Sequence, residues 1–350
     1  MGARPQFIKL AALHHAICNR DSFEHKVIHT QQHYDANMSA VFFEELNMPE
    51  PDFTLPPEEL NMASSIERMQ LGISNILKTT QPEIVLVYGD TNTTLAAARA
   101  AKNLQIAIGH IEAGLRSYDS IPEEFNRVET DKISDLLFCP SEVAMKNLYT
   151  EGYQHNIFFS GDVMLDAINY YLPVALKKYN HLRHAGFVLA TIHRQSTVQS
   201  AEVLRNIVMA LNTINQTTPV ILPAHPRTKQ SIQAAGIPIE FELSAPVGYL
   251  EMLLLINASG IVMTDSGGVQ KEAFFCKKMC VTLRKVTEWK ELVTAGVNII
   301  AGTNTEDILN AYEKAKTLLP NFNGKFFGNG KSAESIVETL SKWYENRPDQ

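Results

Sequence analysis

Short runs of apolar residues alternate along the chain with longer amphipathic stretches, and this alternation restricts the fold more than any other feature. The run Ile84–Tyr88 is apolar at every position, which is typical of a strand buried on both faces of a parallel sheet. Gly89-Asp90-Thr91 follows it and opens an alanine-rich stretch of helical character. Other runs of this kind are 106–108, 136–139, 157–159, 187–191, 220–223 and 260–264. The pattern predicts an α/β fold whose parallel sheets are covered by helices.

Two such series of strands follow one another, so we expect two α/β domains with a ligand cleft between them. A length of 350 residues agrees with this number of domains, at about 100–200 residues each. The predicted bounds are 1–170 for the N-terminal domain and 171–331 for the C-terminal domain. The helical pattern from residue 332 to residue 350 predicts a last helix that packs back on the N-terminal domain.

Composition restricts the partners and the compartment. A formal net charge of -7 argues against nucleic acid or an anionic membrane as the main partner. The four cysteines form no CxxC pair, so we expect buried free thiols in a reducing cytoplasm, without a metal site or a disulfide framework. No apolar run reaches the roughly 18 residues of a membrane span, and we expect no signal peptide.

Acids, arginines and a histidine are concentrated in segments 109–117 and 121–127, directly after an apolar run. Ligands of open α/β sheets bind at the carboxyl ends of the strands, so we expect a loop at that edge. Glu112, Arg116 and Glu123 suit an anionic substrate that also undergoes proton transfer. A solvated loop with mutual salt bridges is the alternative, and the motifs found elsewhere in the chain make it less favourable.

A second motif, Ser266-Gly267-Gly268, lies where a strand ends and a helix begins. Glycines let the backbone approach a ligand closely, and the free N–H groups of a helix start bind phosphate. Glu272 lies one turn inside, where it can accept hydrogen bonds from ribose hydroxyls, and Arg284 follows the next strand. Together they predict a cradle for a nucleotide diphosphate, with a plain helix cap as the alternative.

Further polar side chains stand at strand ends or near the N terminus. His193, in a His-Arg pair, can contact a pyrophosphate, although a structural role is as well supported by the residues alone. His225 lies in a loop that we expect to face the cleft, and Asp90 directly follows its strand, either as a site residue or as a helix cap. Arg4 and Lys9 are available for phosphate.

Taken together, these motifs resemble the non-hydrolysing UDP-N-acetylglucosamine 2-epimerase family. The matching segments, in the order of the family, are 2–9, 29–34, 87–94, 109–117 with 122–127, 161–167, 191–194, 265–273 and 284–288. The resemblance implies two Rossmann-like domains that face a central cleft, as in the glycosyltransferase-B architecture, and a homodimer. It implies interconversion of UDP-GlcNAc and UDP-ManNAc in polysaccharide precursor synthesis. It also implies elimination of UDP to 2-acetamidoglucal followed by re-addition, with no metal and no nicotinamide cofactor.

The resemblance also assigns roles to individual residues. It makes Asp90, Glu112 and Glu123 the catalytic carboxylates, and it places His193 near the departing phosphate. The residues matched to UDP-binding or substrate-binding positions are Arg4, Lys9, Arg116, His225, Ser266, Gly267, Gly268, Glu272 and Arg284. Gln32 and His33 match a region that contacts a second, activating UDP-GlcNAc in some relatives.

Departures from the family pattern leave alternatives open. A short apolar strand normally precedes the Gly-x-Arg-Pro motif, so we expect the first strand of the N-terminal domain to be missing here. The segment Thr287-Glu288-Trp289-Lys290-Glu291 resembles the branch that includes 2-epimerases of UDP-2,3-diacetamido-2,3-dideoxy-glucuronic acid. That sugar nucleotide is the alternative substrate. A degenerate UDP-sugar binder and a glycosyltransferase are the remaining alternatives, and the pair of glutamates argues against a transferase.

Overall fold

The computed structural model describes residues 1–2, 4–20, 22–32, 43–56, 66–118, 121–179 and 186–346, with the side chains of Arg4 and Gln195 left out. The chain divides into two compact units. The first consists of Met1–Asn169 and Lys325–Gln350, and the second of Tyr170–Gly324. Within the described ranges, no helix is both long enough and apolar enough to cross a membrane.

The described residues of the first unit contain six short strands with helices between them. Its elements are α1 (Arg4–Cys18), β1 (Ile28–His29), β2 (Phe53–Thr54), α2 (Ile66–Thr80), β3 (Ile84–Tyr88), α3 (Asn92–Asn103), β4 (Ala107–Ile111), α4 (Pro122–Ile133), β5 (Leu136–Cys139), α5 (Glu142–Thr150), β6 (Ile157–Phe159) and α6 (Val163–Lys178), which continues into the second unit. Strands β3, β4, β5 and β6 form a parallel sheet in that order, and β1 pairs with β2 in a separate parallel sheet.

The second unit contains a parallel sheet of six strands. Its elements are β7 (Val188–Thr191), α7 (Gln195–Gln199), α8 (Ala201–Asn215), β8 (Val220–Pro223), α9 (Pro226–Ala234), β9 (Glu242–Ser244), α10 (Tyr249–Ala258), β10 (Ile261–Thr264), α11 (Gly267–Phe275), β11 (Met279–Thr282), α12 (Lys290–Thr294), β12 (Asn298–Ile300) and α13 (Thr305–Thr317). Helix α14 (Ser332–Glu345) belongs again to the first unit, where it contacts α1 and its Ala333 N–H donates to the Asp166 carboxylate at 2.7 Å.

The strand order of the second unit places a switch point between β7 and β10. The order is β12-β11-β10-β7-β8-β9, so the chain extends the sheet in one direction from β7 and in the other from β10. In open α/β sheets, ligands bind at such a point, outside the carboxyl ends of the strands. The hydroxyls of Thr191 and Thr264, the last residues of β7 and β10, lie 2.5 Å apart. The two loops that follow therefore start side by side.

Strands β3 and β4 pack closely against helix α2 in the first unit. Val87 and Ile108, on β3 and β4, pack in one cluster with Met69 and Leu77 of α2. A Cβ at Gly109 would lie 2.7 Å from the Leu86 side chain, so the glycine allows the two strands to keep this packing. Burial on both faces of β4, where every residue is buried, is what the apolar runs of the sequence predict.

Some expectations from the sequence need correction. Segment 109–117 does not begin as a loop, because Gly109, His110 and Ile111 belong to β4. Cys18 is exposed, whereas the other three cysteines are the buried free thiols that we expected. The expectation of a missing first strand, in contrast, is not contradicted: within the described residues, β1 and β3 lie in different sheets. The amino group of Met1 donates to the Ile28 carbonyl oxygen, and the Met1 carbonyl oxygen accepts from the Thr30 N–H, each at 2.8 Å.

Candidate functional site

The carboxyl ends of β3 and β4 accommodate a largely buried ion pair between Lys9 Nζ and Glu112 Oε2. The two side chains are 8% and 10% exposed. Gly89, at the end of β3, has a φ of 66°, and a Cβ there would lie 3.0 Å from Glu112 Oε2 and 3.1 Å from Lys9 Nζ. A glycine at this position therefore leaves room for the ion pair. Lys9, which the sequence matched to phosphate binding, is bound instead to a catalytic candidate.

Glu112 itself holds a backbone conformation that side chains avoid. Its φ is 75°, which costs on the order of 1–3 kcal/mol for a residue other than glycine. The neighbouring strand maintains this conformation, because the N–H groups of Glu112 and Ala113 both donate to Phe138 O at 3.0 Å. Strain that the surroundings maintain at a carboxylate is typical of functional sites.

Asp90 is tied to helix α4 by its side chain and its backbone. Its carboxylate forms an ion pair with Arg127 Nη2, and its carbonyl accepts a hydrogen bond from Asn126 Nδ2 at 3.0 Å. The Asp90 side chain is 33% exposed, so a ligand can still reach it. Arg127 also contacts Glu124 at 3.2 Å. Arg127 lies in a segment that the sequence singled out, but it was not predicted as a site residue; the adjacent acidic residues were the available signal.

The two neighbouring glutamates of α4 differ in their surroundings. Glu124 is held by the backbone N–H groups of Ser117 and Tyr118 at 3.0 and 3.1 Å and by the Ser117 hydroxyl at 2.8 Å. Glu123 is exposed in the first turn of the helix, where a negative charge is favourable. An exposed carboxylate is accessible to a ligand, and the catalytic role of Glu123 stays a prediction.

Arg116 lies in the interior of the first unit. Its Nη1 donates to Asp131 at 2.7 Å, and its Nε and Nη2 both donate to the Glu151 carboxylate at 2.7 Å. Burial opposes the charge, but the hydrogen bonds to these two carboxylates outweigh it and raise the pKa of Arg116. With the side chain 1% exposed, the structure favours a structural role for Arg116 over the predicted contact with substrate.

The remaining predicted residues of the first unit give less information. Arg4 begins α1, but its side chain is not described, and His33 lies outside the described residues. The Gln32 carbonyl oxygen accepts hydrogen bonds from Thr93 N at 2.9 Å and Thr93 Oγ1 at 2.7 Å, which ties it to the start of α3. The activator site that these residues would form stays a prediction.

In the second unit, Asp265 joins the loops that follow β7 and β10. Its carboxylate is fully buried and accepts hydrogen bonds from the backbone N–H groups of His193 at 2.9 Å and Arg194 at 3.0 Å. The His193 side chain is exposed at the switch point of the sheet. His225, in contrast, caps helix α9, because its Nδ1 accepts from Arg227 N at 3.3 Å. The structure therefore gives His225 a structural contact that competes with its predicted role.

Helix α11 begins at the predicted Ser266-Gly267-Gly268 turn. Ser266 precedes the helix without capping it through its side chain, so the first N–H groups of the helix keep their capacity for an anion. Trp289 Nε1 donates to Gly267 O at 2.9 Å, and a side chain on Gly267 would collide with Glu288. Glu288 in turn accepts a hydrogen bond from Arg284 Nη2 at 3.0 Å. The turn and Arg284 are thus parts of one connected group.

Two buried carboxylates accompany this turn. Glu272, on α11, is 5% exposed. Glu291, at the start of α12, is 7% exposed, and neither of its carboxylate oxygens has a hydrogen-bond donor among the described residues. A buried carboxylate without a donor is costly, so a hydroxyl of a bound ligand would stabilise it. Glu291 belongs to a motif that the sequence singled out, but it was not predicted as a site residue.

The chain belongs to the UDP-N-acetylglucosamine 2-epimerase family. The model of that family, described as UDP-N-acetylglucosamine 2-epimerase, matches residues 15–341. This match confirms the family that the motifs indicated and agrees with the two parallel α/β units. Among the described residues, no group of three His, Cys, Asp or Glu side chains is arranged to hold a metal ion.

Individual relatives cover nearly the whole chain. The chain is 45% identical over 350 residues to the UDP-2,3-diacetamido-2,3-dideoxy-D-glucuronate 2-epimerase of Pseudomonas aeruginosa, covering 98% of each protein. It is 39% identical over 358 residues to the UDP-N-acetylglucosamine 2-epimerase of Methanocaldococcus jannaschii, covering 97% of each. The crystal structure of a UDP-GlcNAc 2-epimerase from that organism, in complex with UDP-GlcNAc and UDP, matches with a TM-score of 0.89 at 38% identity, covering 97% of this chain and 98% of that one.

Proposed function

We propose that this chain is an isomerase that interconverts UDP-GlcNAc and UDP-ManNAc. The observation that carries this proposal is the strained Glu112 carboxylate, which is paired with Lys9 beside Gly89, with Asp90 at the end of the adjacent strand. The names of the relatives and the family support the same activity.

The chemistry requires carboxylates of this kind. The hydrogen at C2 of the sugar is a poor acid, because C2 is not next to a carbonyl. When the bond between C1 and the UDP oxygen breaks, positive charge develops at C1, as in glycosidase transition states. A carboxylate stabilises that charge, and a carboxylate takes the C2 proton, which leaves 2-acetamidoglucal and UDP. Return of a proton to the opposite face of C2 and re-addition of UDP at C1 complete the epimerisation.

The first unit supplies the groups for these steps. We assign proton transfer and charge stabilisation to Glu112 and Asp90, with Glu123 as the third carboxylate. Lys9 and Arg127 stabilise the ionised forms of Glu112 and Asp90, because an opposite charge within an ion pair favours the charged state. In this proposal, Lys9 acts mainly through Glu112 and not as a phosphate ligand.

The second unit supplies the contacts to UDP. The N–H groups at the start of α11 and the guanidinium of Arg284 suit the diphosphate, and Arg284 Nε has no hydrogen-bond acceptor among the described residues. Glu272, the carboxylate that the sequence assigns to the ribose hydroxyls, is buried on α11. Glu291 suits the same hydroxyls, since its oxygens are buried without a donor among the described residues. His193 assists the departing phosphate.

A second candidate substrate is UDP-2,3-diacetamido-2,3-dideoxy-glucuronic acid. The relative at 45% identity bears the name of that activity, whereas the archaeal UDP-N-acetylglucosamine 2-epimerase is 39% identical. The same elimination and re-addition serve both sugars, because the substituents at C3 and C6 take no part in either step. The two candidates differ only in the contacts that select the sugar.

The test is proton NMR of each UDP-sugar with the protein in deuterated water. Loss of the C2 proton signal, together with a new anomeric signal of the manno product, establishes epimerisation of the sugar supplied. Epimerised product without deuterium at C2 contradicts the elimination mechanism. Absence of exchange with both sugars, while UDP binds, favours the degenerate binder.

We also propose that the enzyme is a homodimer of the cytoplasm that supplies polysaccharide precursors. The resemblance to the family supports these assignments, and the free thiols of all four cysteines fit a reducing compartment. Sedimentation equilibrium at several concentrations tests the oligomeric state, and a monomer at every concentration contradicts it.

A further inference from the structure

Next to the candidate carboxylates lies a fully buried histidine that the mechanism has not used. His110 is the fourth residue of β4, and both it and its partner Asp131 have 0% side-chain exposure. Its Nδ1 lies 2.7 Å from Asp131 Oδ1, and its Nε2 lies 2.8 Å from the carbonyl oxygen of Gly89. Gly89 directly precedes Asp90, and its lack of a Cβ leaves the space for the ion pair of Glu112.

Both partners of His110 are hydrogen-bond acceptors. The Gly89 carbonyl has no proton to donate, so Nε2 carries one. Asp131 also accepts at its other oxygen, from Arg116 Nη1 at 2.7 Å and from Gly114 N at 3.2 Å, and these contacts stabilise its ionised form. An ionised Asp131 requires a proton on Nδ1 as well. With a proton on each nitrogen, the imidazole is a cation.

The surrounding charges balance that cation. Arg116 forms ion pairs with both Asp131 and Glu151, so the cluster contains two carboxylates and one guanidinium besides the histidine. A positive His110 brings its net charge to zero. Glu151 is 33% exposed, so water screens part of its charge, and Asp131 is the fully buried carboxylate that directly faces His110.

We propose that His110 is a positively charged positioning residue, which links Asp131 to the Gly89 carbonyl and so holds Asp90 and Glu112 in place for the proposed reaction. Asp131 acts at both sides of this arrangement, because it binds His110 and also the backbone N–H of Gly114, two residues after Glu112. The inference rests on the proposed function for its effect on catalysis, but the charge of His110 is measurable without turnover.

Two single variants and their combination test the link. In H110Q, the new amide cannot donate to both Asp131 and Gly89. In D131N, the amide N–H group that replaces a carboxylate oxygen faces an N–H of His110 or of Arg116. In the double variant H110Q/D131N, the amide introduced at position 131 can donate to the amide introduced at position 110, which can donate to the Gly89 carbonyl. A neutral chain of hydrogen bonds is then restored.

The expected result is a loss of kcat in each single variant, by about 10- to 100-fold, because small displacements of catalytic groups cost rate on this scale. The affinity for UDP, measured by calorimetry, should stay near the wild-type value, since the proposed UDP contacts lie in the second unit. The double variant should recover part of the lost kcat. The proposal would be overturned by an unchanged kcat in H110Q or by a loss of UDP affinity that parallels the loss of kcat. It would also be overturned if the loss of kcat in the double variant equalled the product of the two single losses.

The matched control is D135N. Asp135 also supports β4, since its Oδ2 accepts from Ile108 N at 2.9 Å, but it does so toward the opposite end of the strand from Glu112. We expect D135N to change stability without changing kcat. If D135N lowers kcat as much as D131N does, general support of the strand explains both, and the positioning role is refuted.

The charge itself is read by NMR of protein with ¹⁵N-labelled histidine, with the His110 signals assigned by their loss in H110Q. Two protonated ring nitrogens, protected from exchange by burial, are the expected result. A single protonated nitrogen would overturn the charged state. This readout stays valid if the wild type exchanges neither UDP-sugar at C2, which would refute the proposed function alone.

Discussion

Replacement of Gly89 by alanine tests whether the Lys9–Glu112 ion pair needs the space that this glycine leaves. The Cβ of G89A would lie 3.0 Å from Glu112 Oε2 and 3.1 Å from Lys9 Nζ, so both side chains would have to move by some tenths of an ångström. The φ of 66° adds a cost of roughly 1–2 kcal/mol for any residue with a Cβ. G89A should therefore lose both stability and activity.

Gly236 provides the matched control for the backbone effect. Its φ is 62°, and a Cβ there would meet no atom within 4 Å. G236A should show a similar loss of unfolding free energy, of about 1–2 kcal/mol, with wild-type kcat. The difference in kcat between the two variants then measures the local displacement around Gly89, which includes the ion pair.

The assay is C2 deuterium exchange of the UDP-sugar for kcat and KM, together with urea denaturation for stability. We expect G89A to lower kcat by about tenfold or more, because a displacement of the reacting groups by about 1 Å costs about 100-fold. The KM should change less, since the proposed UDP contacts lie in the second unit. A G89A protein with wild-type kcat, or a G236A protein with an equal loss of kcat, would refute the reasoning.

Three further predictions concern single groups. E112Q should lower kcat by about 100- to 10,000-fold while calorimetry finds UDP affinity unchanged, because an amide cannot take the C2 proton. The control is E129Q, which removes a carboxylate paired with the exposed Lys132. An E112Q protein with wild-type kcat would contradict the assignment. E291A should weaken UDP binding by about 1–3 kcal/mol in the same calorimetry if its oxygens accept from ribose hydroxyls, and unchanged binding would remove that contact. Burial, and secondarily His14, lowers the pKa of His25 to about 4 from 6.5. The unfolded chain therefore binds this proton first, so the free energy of unfolding should fall as the pH drops from about 6.5 to about 4, by about 1–3 kcal/mol for this group. Burial lowers the pKa of His29 to about 4 as well, so H25N should reduce the pH dependence in urea denaturation without removing it, and an unchanged dependence would contradict the assignment.

Several properties of this protein follow from the sequence alone. The apolar runs predict parallel strands in two α/β units, because a strand buried on both faces has only apolar positions. The glycine turn at residues 266–268 predicts a helix start with free N–H groups, because this feature also depends only on neighbouring residues. The order of the motifs along the chain was sufficient to indicate the family that the comparison confirms. Short polar strands such as β9 (Glu242–Ser244) carry no such pattern and were missed.

Only the tertiary structure decided which charged groups meet. Arg116 was predicted as a substrate ligand in its acidic segment, yet it binds Glu151, which is 35 residues away in the chain. Lys9 meets Glu112 across 103 residues, and His110, which was expected in a loop, belongs to a strand and contacts Asp131. The periodicity of apolar residues indicates how each segment is buried, because burial restricts each position separately. It does not indicate which charged side chains form ion pairs, because the partner of a charge depends on how distant segments fold together.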